Sequence, residues 1–105
     1  MRLKILWEVV VNNMVYTSLE NEKIKKIAKL KDKKYRKNSG FFLIEGEHLI
    51  NEAYNAGYLE TVIKLESTNL DLKVDTIDVS MKVLKYLSNL ETPTLIGICK
   101  QKKMK

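Results

Sequence analysis

With one cysteine, one histidine and four glycines, this 105-residue chain is short of the residue types from which reaction centres are commonly built. A lone Cys99 excludes an intramolecular disulfide. It lies in the apolar run "LIGIC", where a thiol reads as a small buried hydrophobe rather than a nucleophile, and such usage suits a reducing cytoplasm. His48 has no nucleophile and orienting group in triad relation, so it reads as a polar surface or cap residue near a helix start. The glycines, at 40, 46, 57 and 97, form neither Gly-x-Gly-x-x-Gly nor a phosphate loop. Gly46 would let helix-start amides face a phosphate, but Glu45 and Glu47 on either side oppose an anion. Those carboxylates read as a strand end and a first helical turn, because no second acidic pair supports a metal. Long apolar runs are also missing. "ILWEVVV" near the N-terminus is short, contains Glu8 and precedes no small-residue cleavage site, which argues against a signal peptide or membrane span. No complete catalytic site and no metal site are expected.

What the chain has is segregated charge. Its net +6 is spread unevenly. Residues 23–37 carry nine Lys/Arg and one acid, Asp32, and residues 100–105 add four lysines. Residues 38–99 hold four lysines against nine acids. A basic N-terminal element and a basic tail thus flank a mildly acidic body, a distribution that steers polyanions to one region.

Forty-five per cent of the residues are apolar, enough for one domain with its own core. The stretch from Thr17 to Lys37 reads as one helix, capped by Ser18 or Thr17, with Ile24, Ile27 and Ala28 along its apolar stripe. Asn38-Ser39-Gly40 signals a turn. "FFLIE" (41–45) suits a central strand covered on both faces. A helix follows with Leu49, Ile50, Ala53 and Tyr54 at helical spacing, ended by Gly57. "TVIKL" (61–65) and "DTIDVS" (75–80) read as strands, Ser80 caps a third helix through "MKVLKYLSNL", and "TLIGIC" (94–99) closes as a strand. Alternation of this kind predicts an α/β sheet with helices on both faces.

These segments resemble the N-terminal substrate-binding domain of the SpoU/TrmH-type RNA 2′-O-ribose methyltransferases. The likeness rests on Thr17, Ser18, Asn21, Ile24 and Lys25, then Lys33 to Lys37, then Gly40, Phe42, Leu43, Glu45 and Gly46. It continues in "VSMKVLKYLSNLETPTLIGIC", with Thr92, Pro93 and Gly97 in place, and covers about residues 15–100. Thr94 and Glu22 differ from the family's frequent glutamine and proline. The resemblance implies a three-layer α/β/α sandwich around a small mixed sheet, like the kink-turn-binding ribosomal proteins. It implies a 14–105 domain that holds structured RNA, ribosomal in kind, for methylation of a ribose 2′-hydroxyl. Catalysis and S-adenosylmethionine would belong to a following knotted domain, so this chain would bind RNA, hold no cofactor and not catalyse. Residues 1–13 fall outside the pattern and are read as a leader or non-family extension.

On this reading Lys33, Lys34, Arg36 and Lys37 contact phosphates, with Tyr35 and Ser39 nearby. Glu45, Gly46, Thr92 and Pro93 shape loops at one sheet edge. The competing reading is a protein-interaction or homodimerisation domain with "ILWEVVV" as an apolar patch.

Overall fold

The structure, a computed structural model, describes residues 14–101. In chain order they form β1 (Val15–Tyr16), α1 (Glu22–Ala28), a 3₁₀ turn (Lys29–Lys31), α2 (Lys33–Ser39), β2 (Phe41–Glu45) and α3 (Glu47–Ala56). Then come β3 (Leu59–Leu65), β4 (Asp75–Val79), α4 (Met81–Leu87) and β5 (Ile96–Lys100). The five strands make one mixed sheet in the order β1-β4-β3-β5-β2. The β1–β4 and β4–β3 pairs are parallel, and β3–β5 and β5–β2 are antiparallel. The expected sandwich is present, and residues 1–13, read as a leader, lie outside the described residues.

Local chemistry explains where the elements depart from expectation. The basic stretch is two helices, not one. Asp32 is extended (φ −90°, ψ 126°) and its carboxylate accepts from the Lys34 backbone amide. The one acid in a run of cations therefore stops one helical segment and caps the next, as short acceptor side chains do. The first helix is capped by Asn21, whose side chain accepts from the amides of Lys23 (2.8 Å) and Ile24 (3.3 Å). Ser18 instead accepts from Glu20 in the preceding turn. The last helix ends at Leu87, short of the expected Leu90, and β5 starts at Ile96. Strand β1 is only two residues long, too short for alternation to reveal it, and exists because β4 offers it an edge at Asp78 and Val79. Ser80 caps α4 through the Val83 amide, and Gly57 closes α3.

Period-two alternation in β3 divides the core. Ile63 faces Ile24, Ile27, Val83, Leu84 and Leu87 beneath α1 and α4, while Val62 faces Ile50 beneath α3. Burying each of these side chains contributes roughly 1.5–3 kcal/mol relative to exposure. On the α3 face Gly97 is a spacer. A Cβ there would sit 3.0 Å from Ile44 and Leu59 and 3.1 Å from Ile50, so its absence lets α3 settle onto the sheet. Lys64 and Asp78, opposite each other across β3 and β4, form a largely buried ion pair at 2.9 Å.

Candidate nucleic-acid interface

Strand β2 runs between two glycines, and the predicted site residues fall around its two ends. At its start Gly40, in the left-handed region at φ 80°, reverses the chain out of α2. Its amide donates to the Arg36 carbonyl (2.9 Å) and its carbonyl accepts from the Gln101 amide (2.7 Å). Phe41 pairs with Lys100 in the β2–β5 ladder. The basic α2 and the beginning of the basic tail, sixty residues apart in sequence, therefore meet at one corner; Lys102 to Lys105 lie outside the described residues.

The short helix α2 sorts the predicted RNA-binding residues into two groups. Lys33, Lys34 and Lys37 are exposed, and among the described residues none is ion-paired with a carboxylate. Tyr35 and Ser39, one turn apart, line a cleft instead. The Ser39 hydroxyl accepts from the Phe41 amide (3.2 Å), which steadies the turn into β2. Arg36 is half-buried, and its Nη1 donates to the Leu30 carbonyl at 3.0 Å. Part of its guanidinium thus braces α2 against the 3₁₀ turn. The Lys29 ammonium stands 5.9 Å from the centre of the Tyr35 ring, within cation–π range.

At the other end of β2, charge is used internally. Glu45 accepts from the Ser88 hydroxyl through Oε1 (2.6 Å) and from the Asn89 amide through Oε2 (2.7 Å). Gly46, at φ 98° and ψ 149°, donates to the Leu95 carbonyl at 3.0 Å. The strand-to-helix turn and the 88–95 loop are thereby laced together, with Thr92 exposed and Pro93 buried in that loop. Lys31 donates to the Tyr86 carbonyl (3.1 Å), two residues before Ser88. The 3₁₀ turn that leads into α2 therefore lies at the Glu45 end, and α2 runs from there to the Gly40 end.

The remaining reactive groups are accounted for locally. His48 is exposed and lies 3.2 Å from Glu52, one turn along α3. Burial, reinforced by Glu60, pushes the Cys99 thiol up to about 11, which keeps it protonated at neutral pH. No three His, Cys, Asp or Glu side chains among the described residues gather as a metal site. No helix among them is long and apolar enough to cross a membrane.

A cleft of about 800 Å³ opens between α1, α2 and the first residues of β3 and β4. Lys23 and Lys26 stand on its α1 side, and neither was singled out by sequence pattern. Their spacing of three puts them on one helix face, but nothing local indicates that the face borders a cleft.

A family profile described as the MRM3-like substrate binding domain matches residues 21–97. The chain is 32% identical over 85 residues to the 23S rRNA (guanosine(2553)-2′-O)-methyltransferase RlmP of Bacillus subtilis (strain 168), a match covering 76% of this chain and 34% of that protein. A crystal structure of an RNA 2′-O ribose methyltransferase superposes with a TM-score of 0.79 at 32% identity, over 88% of this chain and 39% of that one. An rRNA methyltransferase from Sinorhizobium meliloti shares the fold, with a TM-score of 0.71 at 24% identity over 87% of this chain and 38% of its own. The chain thus spans about a third of the length of the curated relative it matches.

Proposed function

The chain belongs to the MRM3-like substrate-binding-domain family, and on that premise we propose that it holds structured ribosomal RNA for 2′-O-ribose methylation. Phosphates meet Lys33, Lys34 and Lys37 on α2 and Lys100 beside them, Arg36 positions the helix, and Glu45, Gly46, Thr92 and Pro93 shape the opposite loops. The observation that carries this reading is the corner at which the end of α2 meets Lys100, the first residue of the basic tail, through the β2–β5 pairing. Cations placed together there release counterions from one folded polyanion, which dispersed cations do less well.

Methyl transfer itself we assign to the part of the relatives that this chain does not span. Calorimetry with S-adenosylmethionine checks this: no heat of binding is expected from this chain, and a saturable isotherm would return catalysis to it. A bacterial relative that modifies rRNA supports a cytoplasmic location.

The decisive experiment titrates a structured rRNA fragment at several salt concentrations. The affinity of the native chain should fall steeply with salt, and a Lys33→Ala/Lys34→Ala/Arg36→Ala/Lys37→Ala variant should lose most of that dependence. Unchanged binding by that variant defeats the assignment. Self-association is the competing reading, and its apolar patch lies in residues outside those described. Sedimentation with and without residues 1–13 separates the two.

A further inference from the structure

We propose that the cleft between α1, α2 and the sheet receives one unpaired nucleotide of the bound RNA. This rests on the RNA-binding reading and adds to it a subsite that recognises a base rather than phosphate alone. The cleft exists because the cover on this face is short. Helix α1 spans only seven residues before the chain turns at Lys29 and again at Asp32, so the first residues of β3 and β4 stay open. Its volume, about 800 Å³, lies within the range of small-molecule sites.

The chemistry of its walls matches the parts of a nucleotide. The floor is apolar, from Ile27, Leu30 and Ile98. Tyr35 supplies an aromatic ring on the α2 side, and a base laid against such a ring gains stacking energy whatever its identity. Lys23 and Lys26 stand exposed on the α1 side as phosphate partners. Lys23 also stands 5.6 Å from the Tyr16 ring centre, within cation–π range. Asp75, exposed at the start of β4, has no ion-pair partner among the described residues. It repels a bare anion and accepts N–H groups, so it favours a base bearing an amino group over inorganic phosphate. Thr61 adds a hydroxyl that donates or accepts. A duplex cannot satisfy this site, because its base faces are stacked and its edges paired, whereas a nucleotide splayed from a loop can.

The test is an amide NMR titration of the whole chain with tetraribonucleotides of adenine, cytosine or uracil, and with inorganic polyphosphate as a probe of charge alone. Saturable shifts at Tyr35, Thr61 and Ile77 are expected with the oligonucleotides. Lys23→Ala/Lys26→Ala should weaken binding about tenfold, and Asp75→Asn should narrow the margin by which the oligonucleotides exceed polyphosphate. All three residues are exposed, so the variants keep the native spectrum. Shifts confined to Lys33–Lys37, or polyphosphate equal to the oligonucleotides in the cleft, overturn the proposal. A structured rRNA fragment run in parallel separates the two failures. If the native chain binds it while the cleft stays silent, the nucleotide subsite alone falls. If the native chain binds neither, the RNA reading falls with it.

Discussion

The two ends of β2 use charge in opposite ways. At the Gly46 end a carboxylate is spent inside the fold: both oxygens of Glu45 accept hydrogen bonds from residues 88 and 89. Along α2, which leads to the Gly40 end, the charges of Lys33, Lys34 and Lys37 stand in solvent without a carboxylate partner among the described residues. The first arrangement stabilises the fold and the second leaves the fold indifferent while exposing cations to a partner. The same family signature covers both ends, so membership alone does not say which residues serve stability and which serve binding.

Breaking the internal end should produce the largest effect on folding. Glu45→Ala removes two charge-assisted hydrogen bonds, one from the buried Ser88 and one from the exposed Asn89 amide that water can replace, at a cost of about 1–3 kcal/mol. Urea unfolding should show a lower midpoint with an unchanged slope. A stability equal to wild type would mean that the 88–95 loop holds itself.

Breaking the exposed end should do the reverse. Lys33→Ala/Lys34→Ala/Lys37→Ala should leave the melting temperature within a degree or so while flattening the log–log salt dependence of RNA binding by about 2–3. A large loss of stability would show these lysines to be structural and would erase the contrast between the two ends.

The glycines sharpen the comparison at smaller amplitude. Gly40 occupies the left-handed helical region, which asparagine tolerates, so Gly40→Asn should cost about 1 kcal/mol or less. Gly46, at ψ 149°, lies in a region that is essentially glycine's alone, and Gly46→Asn should cost about 1–3 kcal/mol. Equal costs in thermal unfolding would contradict that difference.

The smallest effect at neutral pH lies between the two ends, at Cys99, which pairs with Phe42 in the ladder. Its thiol is pushed from 9.0 to about 11 in the fold. The unfolded thiol therefore ionises first. Below pH 9 both states keep the proton and nothing is lost; stability then falls as pH rises from about 9 to about 11, by about 2–3 kcal/mol in all. Comparing unfolding free energies of native and Cys99→Ala protein across that interval isolates the loss. Parallel profiles would rule out a buried, protonated thiol.

Most of the layered fold was legible in residue order, because apolar spacing is a local property that the backbone period converts directly into faces. The Ile50–Ala53 face and Gly57 stand where the pattern put them, whereas "FFLIE" is a strand at the sheet edge rather than its centre, half-buried throughout, because strand order depends on long-range pairing and not on local apolarity. The boundaries of the basic region were not, because Asp32 and Asn21 act through particular backbone amides rather than through periodicity. Strand β1 escaped because a two-residue strand has no pattern of its own, only a neighbour.

The sequence by itself determined the apolar and basic segments, the single inert cysteine and the family signature, since each is written in consecutive residues. Only the tertiary structure decided that α2 and Lys100 meet, that Arg36 turns inward to Leu30, that Glu45 holds a loop forty-three residues away, and that Lys23 and Lys26 border a cleft. The physical reason is that each of these depends on strand pairing or on helix ends, which join residues distant in the chain. Composition fixes how much charge there is; the register between β2 and β5 fixes where it is offered.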